Sequence, residues 1–537
     1  MKVFLKVACF VFCSIFAFTL FSSELDYIRG FLITKEPDIK LESEFFKKID
    51  LPDESVLYCH KHLEYAYVKD NENFVVLMGS AINISTGSYM EETANELLAA
   101  LKVSEEEFFD TIDFLAGRYV VIYSKAGEVK ILNDAIGLKA VFYSVNLNIA
   151  SSHSKLIADL IGSGKSPVQE AKDNGALTIS HGYPGLTTPY KDILRLSPNT
   201  FLDFYNLTTQ RYFPRGPVTR LTVEEAAFIL KKSVQIQAKT LINNGKTLAI
   251  ALSAGQDSRV ALAAIIDDWS FFENNKNKLR FYTGYKNTQV FRVDLTIACY
   301  LAKKLGLNHC YLHMGHYKSA DDIELLNRAI ENSLHYTCPD AMSLLRFLFG
   351  FNECVHFGPH LLETAGCFWR GSFFSRYHKD KVVLDPVEMA TLYNIYSRAP
   401  GFRQSDYPPE ILIKEYENFC DIAQFNESTT YNYDQLDLFY WEHRMGSWYS
   451  EIISEYDLAM PIHSWTSCRH CLNASLSLSL DDRFNQLLFK RIVSDFLVDR
   501  PEIKDVEINP RLDKIPDHIK DYVSLDFNDL PSHRNRK

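Results

Sequence analysis

The chain lacks a surplus of positive charge. Its 57 Lys and Arg stand against 68 Asp and Glu, for a net charge of -11 and an isoelectric point near 5.8. That argues against the basic face a nucleic-acid-binding surface needs, although it leaves room for a local basic pocket around phosphates. A disulfide framework is missing too, since 11 cysteines are scattered at irregular spacings over 537 residues. The one close pair is Cys468-x-x-Cys471. It has no second Cys or His pair at metal spacing, so a zinc or redox role competes with the plainer reading of two buried thiols. There is no internal repeat and no low-complexity tract. Nothing has the charge-rich, aromatic-poor look of disorder except the basic tail Arg534-Asn535-Arg536-Lys537.

Long apolar runs are absent apart from the beginning. Lys2 and Lys6 precede an apolar stretch from Val7 to Phe21, and Ser22-Ser23 follow. This is the layout of a signal peptide, and it is short for a membrane span of roughly 20 residues. An anchor counted from Val3, or a start codon placed too early for a protein beginning near Leu25, fits the same residues.

What is present reads as a folded globular protein, with 47% hydrophobic and 23% charged residues. The length exceeds one ordinary core, so two domains are expected. From about Tyr27 to Phe204, short strand-like runs alternate with turns, as at Phe74–Met78, Tyr119–Tyr123 and Ala140–Tyr143. An acidic helix-like stretch, Glu91 to Leu101, lies between the first two. Pro214-Arg215-Gly216-Pro217 punctuates the chain. From Val223 the texture becomes buried strands alternating with helices: strand Thr247–Leu252, helix Arg259–Ile266, strand Leu279–Thr283, helix Val293–Leu305. That order predicts a right-handed parallel α/β sheet.

The chemistry is expected where the first of these strands ends, at Ser253-Ala254-Gly255-Gln256-Asp257-Ser258. Small residues let the backbone curl so that N–H groups converge at a helix N-terminus, where the dipole favours an anion. Ser253 and Ser258 add hydroxyl donors, and Asp257 can hold a magnesium ion that bridges phosphates. The same hexapeptide also suits an ordinary strand–turn–helix elbow with Ser and Asp caps.

The loop resembles the pyrophosphate-binding loop of the asparagine synthetase family, which adenylates a carboxylate and releases pyrophosphate. Other segments follow in that family's order. They are Phe281-Tyr282-Thr283-Gly284, then Asp294, then Leu305-Gly306-Leu307-Asn308-His309, and Val355 to Glu363 around Gly358. Trp441-Glu442-His443-Arg444-Met445-Gly446-Ser447-Trp448 and Pro461 to Arg469 resemble its closing helical segment. Leu115–Tyr119, Asn133–Leu138 and Ile149–Ser152 are similar to the glutaminase domain that precedes the synthetase, although Asp134 and Gly137 alone read as a turn.

Three departures qualify the resemblance. Asp26 stands where the glutaminase would carry its terminal nucleophilic cysteine, and Cys9 and Cys13 lie upstream in the apolar run, so no glutamine hydrolysis is expected. Leu362 replaces a magnesium-binding Asp and leaves Glu363 alone, while Ala254 replaces a loop glycine.

The resemblance implies a C-terminal parallel-sheet ATP-pyrophosphatase domain (216–515). An α+β four-layer glutaminase-like sandwich (25–215) would precede it, residues 1–24 would form the apolar segment, and 516–537 a tail. It implies ATP and magnesium as cofactors, with Ser253, Gly255, Asp257 and Ser258 around the pyrophosphate. Leu252, Thr283, Gly284 and Gly358 would border the nucleotide, and Asp257 with Glu363 would hold the metal. Glu363, Lys504 and Lys514 are candidates for catalysis, with Lys490 a third possible cation. The partners would be a small-molecule or peptide carboxylate and an amine or ammonia donor, with no nucleic acid and membrane contact only through residues 1–24. A homodimer is compatible. The asparagine-forming reaction and amide or lactam closure on another acid are both open. So are a degenerate nucleotide-binding scaffold and an exported or tethered binding protein, with Asn-x-Ser/Thr matches at Asn83, Asn206, Asn426 and Asn473. ATP chemistry favours the cytoplasm.

Overall fold

The structure, a computed structural model, describes residues 23–71, 73–286, 288–313, 320–335, 351–371, 383–397, 407–498, 500, 503 and 506–522. The apolar run at 1–22, Lys504 and the basic tail lie outside them.

The first half holds two antiparallel sheets. The six-stranded one runs Ile193–Arg195, Phe142–Ser144, Ile149–Ser151, Phe31–Thr34, Val56–His60, Phe46–Asp50. The main path of the seven-stranded one runs Thr208–Arg211, Thr200–Asp203, Glu128–Asn133, Leu115–Lys125, Asn73–Asn83, Tyr65–Asp70. The central strands explain the stacking. Side chains alternate sides along a strand, and here both sides are apolar. Phe74, Val76, Met78, Val120 and Ile122 meet Phe31, Ile33, Leu57 and Cys59 of the other sheet. Their neighbours Val75, Leu77, Val121 and Tyr123 turn the opposite way, toward Leu97, Leu101 and Phe108 of helices Glu91–Val103 and Glu105–Asp113. Helix Ser154–Ile161 covers the outer face of the six-stranded sheet through Leu156 and Ile157.

The second half is built on five parallel strands: β1 (Thr247–Ala251), β2 (Leu279–Tyr285), β3 (His309–His313), β4 (Cys354–Gly358) and β5 (Ile462–Ser464), in the order β3-β2-β1-β4-β5. The molecule is therefore mixed α/β, as expected. Some predicted elements are longer in the structure: the helix expected from Val293 begins at Gln289, and the strand expected to end at Thr283 reaches Tyr285. Among the described residues no helix is long and apolar enough to cross a membrane.

Pro214–Pro217 falls in the irregular connection between Arg211 and the helix Val223–Asn243, which opens with a Thr222/Glu225 capping box. The two halves nonetheless share one continuous apolar core. Buried charges cross between them: Arg118 to Asp457 at 2.6 Å, Arg211 to Glu442 at 2.7 Å, and Arg195 to Glu451. Asp134 caps its own turn, accepting from the N–H groups of Ile136, Leu138 and Lys139, and takes a 2.7 Å bond from the hydroxyl of Ser467. Asp134 and Gly137 thus form a turn, here one that also joins the halves. Gly117 has φ +131°, and a Cβ there would lie 2.0 Å from the Ser80 carbonyl oxygen. No other residue type fits that approach.

Candidate functional site

In the strand order 3-2-1-4-5 the chain leaves β1 in one direction for β2 and β3, and lies on the other side for β4 and β5. The crevice outside the carboxyl ends of β1 and β4 is where open α/β sheets bind ligands. Two segments named from the sequence meet there, the loop Leu252–Ser258 after β1 and Gly358–Glu363 after β4.

The loop is held by its own side chains. The Ser253 N–H donates to Ser258 Oγ at 3.1 Å, and the Gly255 N–H donates to Ser253 Oγ at 3.0 Å. Ser258 Oγ returns bonds to the carbonyls of Ser253 and Gly255. The Ala254 N–H donates to Asp294 Oδ1 at 2.9 Å, and Asp294 is fixed on helix Gln289–Leu305. The expectation that these N–H groups and hydroxyls all face a ligand is thus only partly met, because the N–H groups of Ser253 and Gly255 are spent inside the loop and that of Ala254 on Asp294. The open donors belong to the first turn of helix Gln256–Asp267, whose N-cap Gly255 supplies no side-chain cap. Gly255 itself sits at φ -70°, ψ 161°, a conformation any residue adopts. Ala254 is absent from the left-handed region, so its methyl group is sterically allowed.

Leu252 has both main-chain groups engaged: its N–H donates to the Tyr282 carbonyl at 2.8 Å, and its carbonyl accepts from Thr283 Oγ1 at 2.7 Å. Thr283 Oγ1 also lies 2.9 Å from His309 Nε2, and burial pushes that imidazole down to about 4, keeping it neutral. Thr283 is therefore a buried brace between β1, β2 and β3. Gly284 lies next to it in β2, paired with Leu312. Gly358 ends β4, and its carbonyl accepts from the Trp465 N–H. A Cβ there would be 2.5 Å from His356 Nε2.

Asp257 and Glu363 are reachable by solvent yet ringed by protein, as side chains at the floor of a concavity are. Loss of solvation pushes the Asp257 carboxyl up to about 7, and the charge of Glu363 adds to it. Glu363 is raised by burial as well, opposed by its own N–H and by Arg444. Neither carboxylate has an ion-pair partner among the described residues. The Tyr440 hydroxyl is held protonated beside both, through burial and the charges of Glu363 and Asp257. Leu361, just before Glu363, has φ +71°. That is a strained conformation for a leucine, of the kind found at ligand clamps. Leu362 is buried in the apolar core, so its position supplies no metal ligand.

No protein-family model matches the chain, and no curated protein matches it significantly.

Other expected residues are placed less centrally. Lys514 is exposed on a short turn at Leu512–Lys514, and Lys490 is exposed on helix Leu487–Val498. Among the described residues no side-chain hydrogen bond or ion pair joins either ammonium to the loop. Lys504 lies outside the described residues. Asp26 is fully buried and accepts from the Ser23 N–H and the Asn332 amide, so it is a structural carboxylate. Cys468 and Cys471 are buried free thiols, and no metal-holding group of three ligands occurs among the described residues. Of the four Asn-x-Ser/Thr sites, Asn83 is buried and the Asn426 side chain caps a helix.

Sequence reasoning missed the cover of the loop. The Asn509 N–H donates to the Ala254 carbonyl at 2.9 Å, and Arg259 Nη2 to the Glu507 carbonyl at 3.1 Å, so a segment some 250 residues downstream lies on it. Main-chain contacts of this kind leave no trace in residue type. Arg444 and Tyr440 were also missed, lying in or beside a helical motif without a distinctive spacing.

Proposed function

We propose that the chain is an ATP-dependent ligase of the asparagine synthetase type, with an ATP-pyrophosphatase fold in its second half and a glutaminase-like first half that no longer hydrolyses glutamine. One observation carries this reading: Asp257, in the first turn after β1, and Glu363, just after β4, share the crevice where the strand order reverses.

In this reading ATP binds against the first turn of helix Gln256–Asp267, where uncapped N–H groups and the dipole favour phosphate oxygens. Magnesium, when bound, neutralises charge on those oxygens. Asp257 and Glu363, two carboxylates without an ion-pair partner among the described residues, would hold that ion. A substrate carboxylate attacks the α-phosphate and pyrophosphate leaves; an amine or ammonia then attacks the acyl carbon of the adenylate, forming the C–N bond as AMP departs and a proton is released. The Tyr440 hydroxyl donates a hydrogen bond at the centre. Lys504 and Lys514 remain candidates for the cation that steadies the leaving group. A cytoplasmic site of action follows from the need for ATP.

A second reading has a specific support. Leu362 lies in the core where the resemblance puts a metal carboxylate, and the 253–255 N–H groups are already satisfied. A scaffold that binds nucleotide without turnover accommodates both.

ATP–pyrophosphate exchange on the full chain, with aspartate, other amino acids and a metabolite pool, beside Asp257→Asn, separates the two. Magnesium-dependent exchange lost in the variant supports the ligase. Nucleotide binding without exchange for any acid supports the scaffold, and neither binding nor exchange sinks both.

A further inference from the structure

Arg444 is 6% exposed on the π-helical segment Tyr440–Tyr449. Its Cζ lies 3.2 Å from the ring centre of Tyr396 and 4.1 Å from that of Trp448, and those two centres are 6.2 Å apart. The guanidinium therefore sits in the corner between two rings inclined at 61° to each other. Phe368 and Tyr440 close the surround at 5.5 and 5.8 Å. Ring contacts of this kind stabilise the charge without supplying an oxygen acceptor for its five N–H groups.

Among the described residues these N–H groups have no acceptor. Nε and Nη1 are buried without a hydrogen-bond partner, and no bond from this guanidinium occurs among the described residues. A buried charged donor without an acceptor is costly. The nearest opposing charge, Glu363, acts on Arg444 electrostatically, yet the two form no ion pair within 4.0 Å. Other buried arginines nearby do differently: Arg370 meets Asp434, and Arg483 meets Asp437. Burial lowers Arg444 to about 9, so it still carries its charge at neutral pH.

We propose that Arg444 is the oxyanion anchor of this crevice, its edge reserved for an oxygen of the substrate carboxylate or of the nucleotide phosphates. The identity of the anion rests on the ligase reading, whereas the presence of an anion site does not. The surrounding rings hold the guanidinium in place in advance, so an arriving anion pays little ordering entropy. Glu363, close by but unpaired, keeps room for the positive end of the same ligand or for a metal ion.

The test is calorimetric titration of the full chain with magnesium pyrophosphate and with aspartate, for the wild type, Arg444→Gln and Arg444→Lys, with thermal melts to confirm folding. The inference expects Arg444→Gln to weaken at least one of these anions by roughly tenfold to a hundredfold, with Arg444→Lys intermediate because it keeps charge but loses the planar fork. Loss for pyrophosphate alone places the anchor on the nucleotide, and loss for aspartate alone places it on the acid. Equal affinity in wild type and Arg444→Gln, or no binding of either anion by the wild type, overturns the inference. Should Arg444→Gln fail to fold, the wild type decides. Tryptophan emission shifts as pyrophosphate or aspartate binds, the shift disappears in Trp448→Phe, and a shift that persists in that variant also overturns the proposal. Exchange activity is scored separately. Exchange with unchanged anion affinity in Arg444→Gln removes the anchor and keeps the ligase, and the reverse pattern keeps the anchor and removes the ligase.

Discussion

Arg211 Nη1 and Nη2 donate to the two carboxylate oxygens of Glu442, each at 2.7 Å, with side chains 2% and 0% exposed. The pair joins the last antiparallel strand of the first half to a helix of the second. Asn199 donates to the same carboxylate at 2.8 Å. Removing one partner of a buried pair leaves the other charge uncompensated. Glu442→Gln is expected to cost about 3–5 kcal/mol in denaturant unfolding. Replacing Arg211 and Glu442 together by Met and Leu should cost clearly less than the sum of the two single changes. A full additive loss would mean that packing, not charge, holds this contact.

Gly117→Ala is expected to destabilise strongly while leaving every candidate ligand untouched. The left-handed φ costs about 1–3 kcal/mol for a residue with a side chain. The added methyl would also meet the Ser80 carbonyl at 2.0 Å and His463 Cε1 at 3.0 Å. Ser80 Oγ pairs with His463 Nδ1 at 2.8 Å, so the strain falls on the junction of the halves. A melting temperature within a degree of the wild type would contradict this account.

Asp257 gives a pH signature. Its folded carboxyl titrates near 7, against about 3.9 when unfolded. Between these values the folded state binds more protons than the unfolded state, so metal-free stability falls as pH rises from about 4 to 7. Magnesium requires the ionised form, so its affinity should rise with pH through about 7. Asp257→Asn should flatten both trends. Because the side chain is open to solvent, its stability term should be small, and the metal titration is the sharper readout.

Thr283→Val removes the hydroxyl bonded to the Leu252 carbonyl and to His309. Leaving these buried groups without a partner is expected to cost about 1–3 kcal/mol. Thr283→Ser keeps the hydroxyl and should recover most of it. If Val is as stable as Ser, the brace is only a packing contact.

Much of this was readable from residue order, for a physical reason. Strand Thr247–Ala251 and helix Gln256–Asp267 follow local patterns of burial and small residues, and the loop between them is marked by the residues its turn requires. The placement of Asp257 at a helix start is a local fact of the same kind. What stayed hidden is settled at long range. The alternation of Phe74 and Val75 shows two apolar sides but not what covers each. The isolation of Arg444 depends on where Tyr396 and Trp448 come to rest. The engagement of the Ser253–Gly255 N–H groups depends on rotamers and on Asp294, forty residues away.

The crossing ion pairs also set a timetable. Arg118 is made 339 residues before the carboxylate of Asp457 that neutralises it. At about 5–20 residues per second, a ribosome needs roughly 17–70 s to cover that distance. Arg195 and Arg211 wait comparably for Glu451 and Glu442. During that interval the three guanidiniums lack the carboxylates that meet them in the finished protein. The nascent first half has reason to stay open, or held by chaperones, until the second half arrives. A fragment ending at residue 215 is expected to be less protease-resistant than the same residues in the full chain, with the full resistance gained only after residue 457 has emerged.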